Sequence, residues 1–140
     1  MKEVIINIKG TQIIDGDNDV IELTTVGKMN TVGNKTYLRY DDSTATGVDG
    51  VSCMIKLDKD DNSVVMQRSG SLSSRMYIKE GQRHICHYET SQGTITMGIF
   101  GESVKSTLSN KGGSLSMSYT IDVNYGMMSR NKVEIKVKEA

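Results

Sequence analysis

The chain has 140 residues, seventeen basic and seventeen acidic side chains, and a formal net charge of zero. That is one domain's length, enough to bury a core without staples. The charge balance, with no basic run, leaves nothing to replace counterions on a nucleic-acid duplex, so no duplex partner is expected. Two cysteines make neither a disulfide framework nor a paired metal knuckle, and a reducing compartment is the simpler expectation.

The N-terminal apolar run is interrupted at Asn7 and Lys9, so no signal peptide is expected. No apolar run approaches the roughly 20 residues of a membrane helix. A cytoplasmic protein without membrane association is the resulting expectation. Fourteen glycines, no proline, no tryptophan and many serines, threonines and β-branched residues favour strands and turns.

Val4, Ile6 and Ile8 alternate with Ile5, Asn7 and Lys9, which predicts a first strand over residues 2–14. The acidic run 15–19 lacks the glycine and glutamate an EF-hand loop needs at its sixth and twelfth places, where Val20 and Val26 stand. It reads as a turn. Further strands are expected at residues 20–29, 35–40, 51–57, 64–70 and 75–79, with a polar connection over 41–50. Residues 83–100 read as a hairpin that turns near Ser91, Gln92 and Gly93 and holds both histidines, Cys86 and the one phenylalanine. Val104, Ser106 and Leu108 read as a separate strand. Leu115, Met117, Tyr119, Ile121 and Val123 form the clearest alternation, and Val133, Ile135 and Val137 the last.

This pattern predicts an all-β domain of about eight to ten strands spanning residues 1–140. Short sequential links favour an antiparallel up-and-down meander. Closure into a barrel removes the unprotected edges, with first and last strands pairing. A two-sheet sandwich is the alternative.

Four segments taken in order carry a resemblance: Val20-Ile21-Glu22-Leu23-Thr24-Thr25-Val26-Gly27, Lys35-Thr36-Tyr37-Leu38-Arg39-Tyr40, Met66-Gln67-Arg68-Ser69-Gly70, and Tyr88 through Gly93. In this order the chain resembles the YwiB-like family of small uncharacterised bacterial proteins, over nearly its whole length. The resemblance implies a calycin-type β-barrel, the fold group of lipocalins and fatty-acid-binding proteins. It brings no established activity and no agreed functional residues.

Candidate chemistry therefore rests on individual residues. His84 and His87 are three apart, so on a strand they face opposite ways and do not share a metal. His84 and Cys86 share a face. A zinc site there lacks a nameable fourth ligand, and a Cys86 nucleophile with His84 as base spans too long a step along the strand. No catalytic residue, metal ligand or cofactor is assigned. The candidates for ligand binding in a lumen or at its mouth are polar residues on otherwise apolar faces: Glu22, Tyr40, Arg68, His84 and Tyr88. An inward Arg68 calls for a carboxylate, from Glu22 or from a ligand. Methionines 54, 66, 76, 97 and 117 fall within the expected strands and suit an adaptable apolar interior. The leading functional expectation is a non-catalytic barrel binding a small apolar or amphipathic ligand. The alternatives are an interaction module, acting through its outer face or as a homodimer, and a small barrel enzyme.

Overall fold

A computed structural model of the protein describes residues 2–41, 50–71 and 73–140. Apart from its two ends, the polar connection expected at 41–50 lies outside the described residues. Among those residues the chain forms ten strands: β1 (Lys2–Ile14), β2 (Asp17–Val32), β3 (Lys35–Asp41), β4 (Ser52–Asp58), β5 (Ser63–Ser69), β6 (Ser74–Lys79), β7 (Arg83–Thr90), β8 (Gly93–Ser106), β9 (Gly112–Val123) and β10 (Gly126–Glu139). They make one sheet in the order β6-β5-β4-β3-β2-β1-β10-β9-β8-β7. Every ladder is antiparallel, and the sheet curls into a nearly closed barrel.

Local chemistry sets the turns. Asp15 and Gly16 both take positive φ, 49° and 82°. This is the two-residue loop that Asp-Gly favours between twisted strands, and it turns the acidic run from β1 into β2. Gly33 opens the next two-residue loop at φ 60°. The hairpin expected at 83–100 is present as β7 and β8, paired from Arg83 opposite Phe100 to Thr90 opposite Gly93. One expectation is corrected: residues 104–106 are not a separate strand. A bulge between Gly101 and Ser103 lets β8 run on to Ser106 in register with β9, since an inserted residue bends a strand without ending it.

Closure also differs from expectation in one respect. The first and last strands do pair, Val4 through Ile13 against Glu139 through Arg130, but that ladder lies inside the sheet order. The seam is between β6 and β7, which share no continuous ladder. At one end of it Ser73 and Glu89 exchange backbone hydrogen bonds of 3.1 and 2.8 Å. At the other, Gly81 N–H donates to Gly101 O at 2.9 Å, and Gly101 N–H to Gln82 O at 3.1 Å. A Cβ on Gly101 would lie 2.3 Å from Lys79 O, so only glycine lets the chains approach this closely. Between the two ends Tyr77 meets His84 edge to face, with ring centroids 4.6 Å apart.

The barrel wall is uneven. Strands β3, β4 and β5 have seven residues each and β6 has six. Strands β1, β2, β8 and β10 have 13, 16, 14 and 14. At about 3.3 Å per residue, the long strands stand well above the short ones. The excess lies at the end marked by the Asp15–Gly16 turn, called here the upper end. The lower lumen is solid: Leu38, Ile55, Leu57, Val64, Ile78, Leu115, Met117 and Ile135 are almost wholly buried there. Each sits at alternate positions of its strand, as a sheet with one buried face requires.

Candidate functional site

Above this packed floor the lumen opens into a cavity of about 280 Å³. Its long side is formed by Ile8 and Gly10 of β1, Ile21 and Leu23 of β2, Tyr119 and Ile121 of β9, and Asn131 and Val133 of β10. Its short side is formed by Tyr40, Met66, Arg68 and Met76, with Tyr88 and Met97 from the hairpin beside the seam. Strand alternation explains the set. Tyr40 follows buried Thr36 and Leu38 at two-residue steps, and Arg68 follows buried Val64 and Met66 in the same way. Both residues stand near the top of the short wall, where inward-facing side chains meet space in place of core.

The cavity is apolar with a few polar tips. Burial pushes the Tyr119 phenol up, and the Arg68 guanidinium pulls it the other way. The phenol therefore stays protonated and can donate or accept a hydrogen bond. Asn131 is buried and its Nδ2 donates to Ser129 Oγ at 3.0 Å. Gly10 leaves room: a Cβ there meets nothing within 4 Å. Ile21, Asp19 and Lys132 sit at the exposed rim. A volume close to the lower end of small-molecule sites, roughly 300 Å³, suits a compact ligand better than a long chain.

The five expected site residues divide. Tyr40, Arg68 and Tyr88 line the cavity together. Glu22 does not: it is exposed on the outer surface, opposite Lys9 in the β1–β2 register. The reading that grouped it with Val20 and Val26 holds, but that face points outward, with the two valines 52% and 60% exposed. A lumenal pair between Glu22 and Arg68 is thereby corrected. His84 shares the face of Cys86 but sits lower, at the seam, against Tyr77 and with Nε2 3.0 Å from Gln82 Oε1. Tyr119 and Asn131 were missed. Tyr119 continues the Leu115–Met117 alternation, and Asn131 is the polar step before Val133, Ile135 and Val137, so both were findable by strand parity.

Cys86 is buried, which pushes its thiol up. A backbone hydrogen bond from Arg75 and the charge of Arg68 act against this more weakly. A protonated buried thiol is a poor nucleophile and a poor metal ligand. Cys53 is buried too. His87 lies on the outer side, Nδ1 3.2 Å from Thr96 Oγ1. Among the described residues no three His, Cys, Asp or Glu side chains converge. What this geometry can do is enclose an apolar body and offer hydrogen bonds to a polar end.

The fold and cavity define an antiparallel ten-stranded barrel with a solid floor and an open upper lumen. The chain belongs to a family described as a domain of unknown function, DUF1934, whose model matches residues 6–135. It is 27% identical over 120 residues to the uncharacterized beta-barrel protein YwiB of Bacillus subtilis (strain 168), covering 86% of this chain and 82% of that one. The crystal structure of the ywiB protein from Bacillus subtilis has the same fold. Its TM-score is 0.86 at 23% identity, covering 99% of this chain and 92% of that one. Among the described residues no helix is long and apolar enough to cross a membrane.

Proposed function

We propose that this protein is a non-catalytic, cytoplasmic binding protein that holds one small, partly apolar ligand in the upper lumen of its barrel. The observation that carries this reading is the cavity itself: a packed barrel has no need of about 280 Å³ of space above its floor. Its lining matches small-molecule sites, mostly apolar with a few convergent polar groups. Met66, Met76 and Met97 supply adaptable contact surface. Arg68, a donor with no acceptor capacity, selects ligands that present an acceptor oxygen such as a carboxylate, and the Tyr40, Tyr88 and Tyr119 hydroxyls complete the polar set. The charged residues on the outside of the tall wall, Lys9 and Glu22 among them, fit an aqueous compartment.

The methionines also provide the test. With ¹³C-labelled methionine methyls, small amphipathic acids are titrated into the protein. The reading expects the Met66, Met76 and Met97 signals to shift together, while Met29, buried elsewhere in the core, stays in place. Uniform shifts, or none across a chemically diverse set, count against it.

A further inference from the structure

Among the described residues the tall wall leaves a strand edge without a ladder partner. Strand β2 pairs with β1 from Asp17 to Met29, but β3 meets it only over Lys28–Val32. On the side away from β1, among the described residues, Asp17 through Gly27 has no ladder partner. The two flanking loops are two-residue turns, Asp15–Gly16 and Gly33–Asn34, so Ile14–Asp17 and Val32–Lys35 are the closing hydrogen-bonded pairs. Counting from them, odd residues of β2 bond to β1 and even residues point the other way. The N–H and C=O groups of Asn18, Val20, Glu22, Thr24 and Val26 therefore line the open edge.

The edge lacks the usual protections. It has no proline and no bulge, its outer face carries Val20 and Val26 half-exposed or more, and Glu22 is the sole charge between them. Long, flat, apolar edges of this kind recruit another strand. We propose that the occupant is a second copy of this chain, docked antiparallel edge to edge about a two-fold axis at Leu23.

Self-complementarity singles out this occupant and this register. With Leu23 opposite its own copy, Val20 faces Val26 and Glu22 faces Thr24 on the outer side. The pairs formed by Val20, Glu22, Thr24 and Val26 are all hydrogen-bonded pairs, two bonds each, so these open groups of the two edges satisfy one another, with Asn18 left beyond them at each end opposite Lys28, which β3 holds. No like charges meet. The register centred one residue earlier sets Glu22 against Glu22, which is unfavourable for directly opposed like charges. A register centred one residue later sends Val20 to Lys28 and Asn18 to Asn30, both already held by β3, and so keeps three hydrogen-bonded pairs where the Leu23 register makes four. The dimer is isologous and closed, and it joins the two tall walls into a continuous sheet. It does not depend on whether the lumen is filled.

Sedimentation of the full chain over a wide concentration range tests this, using a matched pair of variants at Thr24. Thr24→Glu places a glutamate opposite Glu22 on both sides of the two-fold axis, and Thr24→Lys places a lysine there. Both lose the same 2.8 Å hydrogen bond from Asn7 Nδ2, so any cost within the monomer is shared. The wild type should dimerise with concentration. Thr24→Glu should raise the dissociation constant about tenfold or more, while Thr24→Lys keeps or lowers it. Thr24→Pro removes an edge N–H that β1 does not use, and should yield a folded monomer. A wild type that stays monomeric throughout, or equal responses to glutamate and lysine, overturns the proposal.

Discussion

Arg68 on β5 and Tyr119 on β9 lie on opposite walls of the barrel, far apart in the sheet order. They nevertheless line the same cavity, and the guanidinium charge acts on the phenol against the effect of burial. The upper lumen is therefore one electrostatic environment, and the polar end of a ligand held there would meet both walls at once. Replacing Arg68 with methionine keeps the bulk and removes the charge. Ligand affinity should fall about ten- to hundredfold, the worth of a hydrogen bond to a charged group. Calorimetric titration checks this; an unchanged affinity would remove Arg68 from the binding surface.

Gly10 offers the opposite manipulation. It lines the cavity, and a Cβ there meets open space. Gly10→Leu should plug the lumen without strain, raising stability by about 0.5–1 kcal/mol through a less flexible unfolded chain and better strand propensity. Ligand binding should disappear. A variant that binds as well as wild type would place the ligand elsewhere.

The seam makes a stability prediction. Gly101→Ala forces a methyl group against the Lys79 carbonyl, and backbone on both sides must move. A loss of about 1–3 kcal/mol is expected, the usual range for overpacking a tight site. Amide exchange should be fastest at Gly81 and Gly101, whose hydrogen bonds bridge β6 and β8. An unchanged denaturation midpoint would mean the seam yields freely.

Asp61 controls acid stability near the seam. Its carboxylate accepts hydrogen bonds from Lys79, Tyr77 and Ser63, which together hold it down at about 2 against an ordinary 3.8. Because the folded value is depressed, this contribution is fully present above about pH 4 and is lost as pH falls toward about 2. Asp61→Asn should lower the melting temperature at neutral pH and flatten its decline in acid. Part of the decline remains, because the Arg83 guanidinium also lowers Asp122 and the Lys2 ammonium lowers Glu139. Melts recorded from neutral to acid pH decide this; parallel curves for the two proteins would rule it out.

The all-β class, the meander and most strand bounds were legible because period-2 alternation is strong wherever one face is buried. Leu115, Met117 and Tyr119 show this most clearly. Strand β2 resisted reading because apolar residues stand on both faces: Ile21 and Leu23 inside, Val20 and Val26 outside. Parity alone does not say which set looks inward: Glu22 does share a face with Val20 and Val26, but that face is the outer one. His84 and Tyr88 show a second limit. They share a face, but alternation carries no information about height, and only the short β3–β6 wall decides that Tyr88 meets the cavity while His84 meets the seam. The seam itself depends on Gly101 approaching Lys79 across a long stretch of sequence, and no local signal encodes that contact.

The most direct measurement is native mass spectrometry of protein purified without denaturation, followed by solvent extraction of what is bound. The account predicts a reproducible added mass, small enough for a cavity of about 280 Å³, present in the wild type and absent from Gly10→Leu. An identical mass for the two proteins beyond the substitution itself, with nothing in the extract and no methionine-methyl response to added ligands, would contradict a binding role for the lumen.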